Sequence, residues 1–285
     1  MDNAEFKQEI IEYIANTYDS FIDYQKITQE ILVEFDRITQ KNHLDYYLAY
    51  GTLLGAVRDN SQIPWDYDID TLVKISDMER LVELLDTELG DDFYYDYITK
   101  TQCYPAPCLR ICKKGYSMMA LHVDVFFLIG APNETKKRES YIKDIKKTIR
   151  LRLSKYISLY LKETPQSNIG RLYYIVLNSV YKMIPGFLVR SKERKLLSKY
   201  RLEDSEYWIS YQDVYDKVYP RYIFDSSSRL KFGDSFFSVP AGFEEFLNIN
   251  YGNWHNYFPI NERFDEFYNM KKIVDERQAS YLESK

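Results

Sequence analysis

Residues Tyr47 to Val73, YLAYGTLLGAVRDNSQIPWDYDIDTLV, constrain this chain more than any other stretch. An apolar and aromatic run, Leu44 to Tyr50, suits a strand. Gly51 and Thr52 then open a short helical turn over Leu53 to Arg58. A polar loop, Asp59 to Gln62, is closed by Pro64 and Trp65. Asp66, Asp68 and Asp70 follow at alternate positions, and Ile69, Leu72 and Val73 mark the end of the run as a buried strand. Alternation puts Asp68 and Asp70 on one face. Two carboxylates on one face of an apolar strand repel each other and resist burial, and a divalent cation relieves both problems. Mg²⁺ takes hard oxygen ligands, with substrate phosphates completing its shell. The Gly51-Thr52 turn offers backbone N–H groups to an anion. Arg58 adds a guanidinium suited to phosphate. This combination points to phosphoryl-transfer chemistry.

An isolated D-x-D is more often a turn or a solvated face. The metal reading gains from a third, separated acid. In LHVDVFFLIG, Leu121, Val123, Val125 and Phe127 share one strand face, with His122, Asp124 and Phe126 on the other. An acid inside such a run needs a partner, either a shared metal or a nearby Lys or Arg.

The string GTLLGAVRDNSQIPWDYDID resembles the signature of the LicD family, named for bacterial phosphocholine transferases and including fukutin-type enzymes. Its usual form reads G-T-L-L-G-A-V-R, a short loop, then I-P-W-D-D-D-I-D. HVDVFFL is similar to the family's second element and VPAGFEEFLNINYGNWHNYFP to its third, so the resemblance spans about residues 45 to 260. Residues 135 to 215 carry no matching motif. The resemblance implies an α/β (α+β) fold, a nucleotidyltransferase-like mixed sheet core with flanking helices and a helical insertion. It implies Asp68, Asp70 and Asp124 as catalytic and metal-holding acids for Mg²⁺ or Mn²⁺. Gly51, Thr52 and Arg58 match the phosphate-side turn, with Trp65, Asp66 and Arg110 added to the donor side. Tyr67 stands where the family usually has an acid; by alternation it faces away from Asp68 and Asp70.

The length of 285 residues suits one large domain or two smaller ones. The expected organisation is a catalytic core over 1–132, a basic helical insertion over 133–215, and C-terminal strands and helices over 216–285. A net charge of −5 argues against a dedicated nucleic-acid binder. No signal peptide and no apolar run long enough to span a bilayer are expected. Cys103, Cys108 and Cys112 are read as reduced thiols in a cytoplasm, because C-x4-C-x3-C lacks the paired knuckles of zinc sites even with His122 downstream.

Helices are expected over 4–18 and 20–41, the second with Phe21, Tyr24, Ile27, Ile31, Phe35 and Ile38 on its inner face. Ser76 to Glu79 fits a capping box before a helix. Strands are expected at Phe93 to Ile98, Cys108 to Ile111 and Met118 to Ile129, with a turn at Pro105-Ala106-Pro107. Arg110 points either at a donor phosphate or into an ion pair with an acid. Lys136 to Lys162 reads as a basic helix. Gly170 to Phe187 is apolar and Tyr-rich, and Lys192 to Arg201 is basic again. That pattern raises peripheral contact with an anionic membrane at its inner face, against an ordinary solvated subdomain. Further on, Gly233-Asp234 signals a hairpin. Ala241 to Tyr251 reads as a helix ending at Gly252, and Tyr251, Trp254 and His255 are candidates for an acceptor pocket.

The reaction that the resemblance implies moves a phospho-alcohol group, phosphocholine first, from a CDP-linked donor to a sugar hydroxyl of a cell-surface glycopolymer such as teichoic acid or lipopolysaccharide, or its lipid-linked precursor. CMP is released. The alternatives are transfer of a nucleoside monophosphate from an NTP, and a non-catalytic binding protein on the same fold.

Overall fold

The structure is a computed structural model. It describes residues 22–97, 108–153, 183–212, 216–257 and 264–283, with isolated positions at 5, 8, 12, 176 and 179; for 264–270 it describes the backbone alone. The expected helix over 4–18, Phe21, Cys103, the Pro105-Ala106-Pro107 turn and most of Gly170 to Phe187 lie outside the described residues, as do the residues from Lys155 to Lys162. The fold is mixed α/β, as the sequence leads one to expect. The chain divides into two compact units: residues 1–96, 109–127 and 222–285 form the first, and 97–108 with 128–221 the second.

In the first unit, helix α1 (Ile22–Lys41) buries Ile31, Leu32, Phe35 and Ile38, the helical spacing read from the sequence. Strand β1 (Tyr46–Leu48) leads into helix α2 (Tyr50–Asp59), and β2 (Ile69–Lys74) returns antiparallel to β1, with Leu48 opposite Thr71. A short 3-10 turn, Ile75–Asp77, replaces the expected capping box: no side chain caps helix α3 (Met78–Glu88) at Asp77. Strands β3 (Phe93–Tyr97), β4 (Leu109–Lys113) and β5 (Val123–Ala131) complete the sheet order β1-β2-β5-β4-β3. Strand β5 starts later than expected. Ala120 and Leu121 both donate backbone hydrogen bonds to the Ser117 carbonyl, so 117–121 form a turn that alternation alone does not reveal. β4 and β5 run antiparallel with Arg110 directly opposite Asp124.

The C-terminal part of this unit supplies a second, two-stranded sheet, β8 (Ser227–Phe232) and β9 (Ser235–Pro240). Gly233 takes φ 64 at its turn, as a two-residue hairpin requires, and its N–H donates to the Asn60 carbonyl at 2.9 Å. The hairpin tip is thereby tied to the end of α2. Helix α6 (Phe243–Tyr251) ends at Gly252, as expected, and helix α7 (Phe264–Glu283) follows.

In the second unit, Leu128–Ala131 of β5 pair with β6 (Tyr207–Ser210), which pairs with β7 (Val218–Pro220). Strand β6 was not apparent from its four residues, which are too few to show a period. Helices α4 (Thr135–Leu153) and α5 (Gly186–Leu197) pack together. Tyr141 donates from its hydroxyl to the Leu196 carbonyl at 2.8 Å. Arg152 and Glu193 form a buried ion pair, and the Tyr211 hydroxyl donates to the same Glu193 oxygen. Among the described residues no helix is long and apolar enough to cross a membrane.

Candidate active site

Strand β1 ends at Leu48, Ala49 is still extended, and the chain reverses at once into α2. Tyr50 carries that reversal with φ 46, a conformation a bulky residue rarely adopts. Its ring is held by Phe126 at 6.0 Å and Phe246 at 5.7 Å between centroids. Two hydrogen bonds then clamp the helix start to β2: Ala49 N donates to the Asp70 carbonyl at 3.0 Å, and Asp70 N donates to Thr52 Oγ1 at 2.9 Å. The Thr52 hydroxyl is thus a strand anchor. Gly51 leaves room for an acid. A Cβ there would stand 2.9 Å from Asp66 Oδ2, so the carboxylate lies over the first turn of α2, where the helix dipole favours negative charge.

The acidic loop is held through its carbonyls. Gln25 Nε2 donates to Ile63 O at 2.9 Å and Asp66 O at 2.6 Å. Gln62 Nε2 donates to Asp68 O at 3.0 Å and, more weakly, to Asp66 O at 3.4 Å. Asp66 and Asp68 therefore precede the strand, and Asp70 alone of the three sits on β2. The three carboxylates still act on one another. Burial, then the charge and hydrogen bonding of Asp68, push Asp66 well above the usual carboxylate range. Burial, Asp68 and Asp124 do the same to Asp70. Asp68 is also raised, by burial first, with Asp66 and Arg110 pulling the other way.

Asp124 meets Arg110 in a two-pronged ion pair, Nε to Oδ1 at 2.6 Å and Nη2 to Oδ2 at 2.9 Å, and both side chains are buried. Arg110 Nη1 also donates to Met118 O at 2.9 Å. Of the two readings of Arg110, the structure realises the ion pair. Thr71 Oγ1 fixes the backbone beneath by donating to Asp124 O at 3.0 Å. His122 Nε2 lies 3.6 Å from Asp124 Oδ2; burial, then the nearby Arg110 charge, lower its pKa to about 3, so the ring is neutral at physiological pH. Tyr67 stands edge-on to His122 at 6.4 Å and rests against the cluster of Ala120, Leu121 and Val274.

The other expected residues fall into two separate groups. Arg58 pairs with Asp59 at 3.1 Å and lies 3.8 Å above the Tyr257 ring, whose hydroxyl donates to Asp59. Trp65 meets the same Tyr257 edge-on at 6.1 Å. Trp254 is buried, donates from Nε1 to Asn248 Oδ1 at 2.9 Å and stacks on His255 at 3.8 Å, while Tyr251 ends α6. Cys108 and Cys112 are buried. Gln25, Gln62, Asp59 and Tyr257 were not singled out by sequence reasoning. Their contacts join positions far apart in the chain, or lie in a loop without periodicity, and leave no spacing to read.

Among the described residues no three His, Cys, Asp or Glu side chains are already drawn together as a metal cage. The donor set nevertheless suits a hard divalent cation. Asp68 and Asp70 raise the proton affinity of Asp66, and Asp68 and Asp124 that of Asp70, while the Arg110 charge opposes at Asp68 and Asp70. A cation held by these carboxylates would be met by hard oxygen donors.

Residues 43–157 match the family model described as LicD/FKTN/FKRP, nucleotidyltransferase domain. A curated relative, the lipopolysaccharide cholinephosphotransferase LicD of Haemophilus influenzae, is 24% identical over 247 residues, covering 81% of this chain and 90% of that protein.

Proposed function

We propose that this chain, whose residues 43–157 match the LicD/FKTN/FKRP nucleotidyltransferase-domain model, is a metal-dependent transferase. It moves phosphocholine from a CDP-linked donor to a sugar hydroxyl of a cell-surface glycan or its lipid-linked precursor. The observation that carries this reading is the acid cluster around Asp70: Asp66, Asp68 and Asp70, which feel one another's charge, beside a buried Asp124–Arg110 pair, with Asp66 against the start of a helix whose second residue is Gly51. The relative's cholinephosphotransferase activity supports phosphocholine as the group moved.

In this reading the acceptor oxygen attacks the choline-bearing phosphorus. A new P–O bond forms to the sugar, the bond to the bridging oxygen breaks, and CMP departs with the electron pair. Asp68, Asp70 and Asp124 would hold Mg²⁺ or Mn²⁺, which when bound neutralises charge on the diphosphate and the leaving CMP. Asp66, once ionised, would accept the hydroxyl proton. The Gly51 and Thr52 amides face phosphate oxygens at the start of α2. Arg58 holds the 59–65 loop through Asp59 and Tyr257.

A thermal-shift series tests this. The wild-type melting temperature is expected to rise with CDP-choline only when Mg²⁺ or Mn²⁺ is present, and Asp68→Asn protein that still folds should show no such rise. A ligand at 100 times its dissociation constant stabilises by about 2.7 kcal/mol, well above detection. A shift with CTP or ATP but with no CDP-alcohol would replace phosphocholine transfer by nucleotidyl transfer. A shift with CDP-glycerol, CDP-ribitol or CDP-ethanolamine in place of CDP-choline would rename the donor.

A further inference from the structure

The second unit presents a surface that the proposed chemistry does not use. Helix α5 buries Val189 and Glu193 and half-buries Leu196 and Leu197. Its outward face begins with Phe187 and Leu188, 62% and 49% exposed, and Met183 just before the helix is 82% exposed. Pro185 starts the helix, and both Leu188 and Val189 donate backbone N–H to its carbonyl. One and two turns further along, Arg190, Arg194 and Lys195 are exposed, and Lys199 follows the helix. The only acid between 183 and 199 is Glu193, which is turned inward onto Arg152 and Tyr211. The surface is therefore cationic on a chain whose net charge is −5.

We infer that the start of α5 docks on an anionic phospholipid bilayer, with Met183, Phe187 and Leu188 entering the acyl boundary and Arg190, Arg194 and Lys195 meeting lipid phosphates. A merely solvated cationic helix has no use for three large apolar side chains at one tip. Phe187 and Arg194 are seven positions apart, roughly 10 Å along a helix axis, so a helix entering tip-first sets Arg194 and Lys195 above the apolar tip. Each Lys or Arg near an anionic leaflet adds attraction, and the apolar tip adds a component that salt does not screen.

Co-sedimentation of the full chain with vesicles tests this without nucleotide or metal, so its failure leaves the proposed reaction untouched. Wild-type protein is expected to pellet with phosphatidylcholine vesicles containing about one-third phosphatidylglycerol, and not with pure phosphatidylcholine. Phe187→Ser with Leu188→Ser should lower partitioning at least tenfold, and Arg194→Glu with Lys195→Glu should do so at low salt. Both double variants change exposed side chains, and an unchanged melting temperature checks that they fold. Equal binding to neutral vesicles, no binding to either, or variants that pellet like wild type would each overturn the inference. So would a sedimentation-velocity dimer that Phe187→Ser with Leu188→Ser disperses, because the surface would then belong to a second copy.

Discussion

At Asp70 burial, the Asp68 carboxylate and the Asp124 carboxylate all act to keep the proton on. Ionising it opposes folding. The penalty is full above the raised folded-state pKa and absent below the ordinary carboxylate value of 3.8, so stability falls as pH rises through that window. Asp70→Asn is therefore expected to raise the melting temperature at neutral pH, by the few degrees that about 1 kcal/mol moves a protein of this size. The gain should vanish at low pH, and differential scanning fluorimetry across pH reads both. Cys112 gives a second residue-level test. Burial pushes its thiol up to about 12, so native protein at pH 8 should leave Cys112 unalkylated by iodoacetamide, and denatured protein should label it, as peptide mapping would show. The acids were legible in the sequence because D-x-D and an acid amid apolar neighbours carry their own signal. Gln25 and Gln62 were not, because an amide that ties down a distant carbonyl looks like any surface Gln until the chain is folded.

The β1–α2–loop–β2 element carries the site, and its geometry depends on small clearances. Gly51→Ala would push a methyl to within 2.9 Å of Asp66 Oδ2. The carboxylate must then move off the helix start. CMP release should fall at least tenfold, the scale expected when one catalytic proton acceptor is displaced, with circular dichroism unchanged. Gln25→Ala removes two bonds to the loop carbonyls from outside it. It should cost about 1–3 kcal/mol in urea unfolding and raise amide exchange at 61–68. The strand, helix and second strand of this element could be read from apolar runs and the Gly-Thr turn. Its boundaries could not. Across the loop Ala49 N donates to the Asp70 carbonyl and Asp70 N donates to Thr52 Oγ1, and α2 reaches back to Tyr50 while Asp68 stays outside β2.

Across the whole molecule, the second unit depends on a polar anchor that composition hides within a basic run: Arg152, Glu193 and Tyr211. Arg152→Met strands a buried carboxylate and should cost about 3–5 kcal/mol. Hydrogen exchange should then rise over 128–153 and 186–210, with 69–74 and 109–113 unchanged if the two units respond separately. Pairing Arg152→Met with Glu193→Leu should restore most of the loss. The central section's basic character was plain in the sequence, but its inward-facing acid and its β6 strand were not, because each depends on what lies opposite. The ion pair of Arg110 with Asp124 has a consequence for the order of binding in the proposed reaction. Were Asp124 to join Asp68 and Asp70 in holding a divalent cation, Arg110 would have to yield a carboxylate oxygen, and one positive charge would be exchanged for another. The guanidinium would then be available to a phosphate. Metal should therefore precede nucleotide: calorimetric titration of metal-free protein with CDP-choline is expected to show no heat of binding until Mg²⁺ or Mn²⁺ is added.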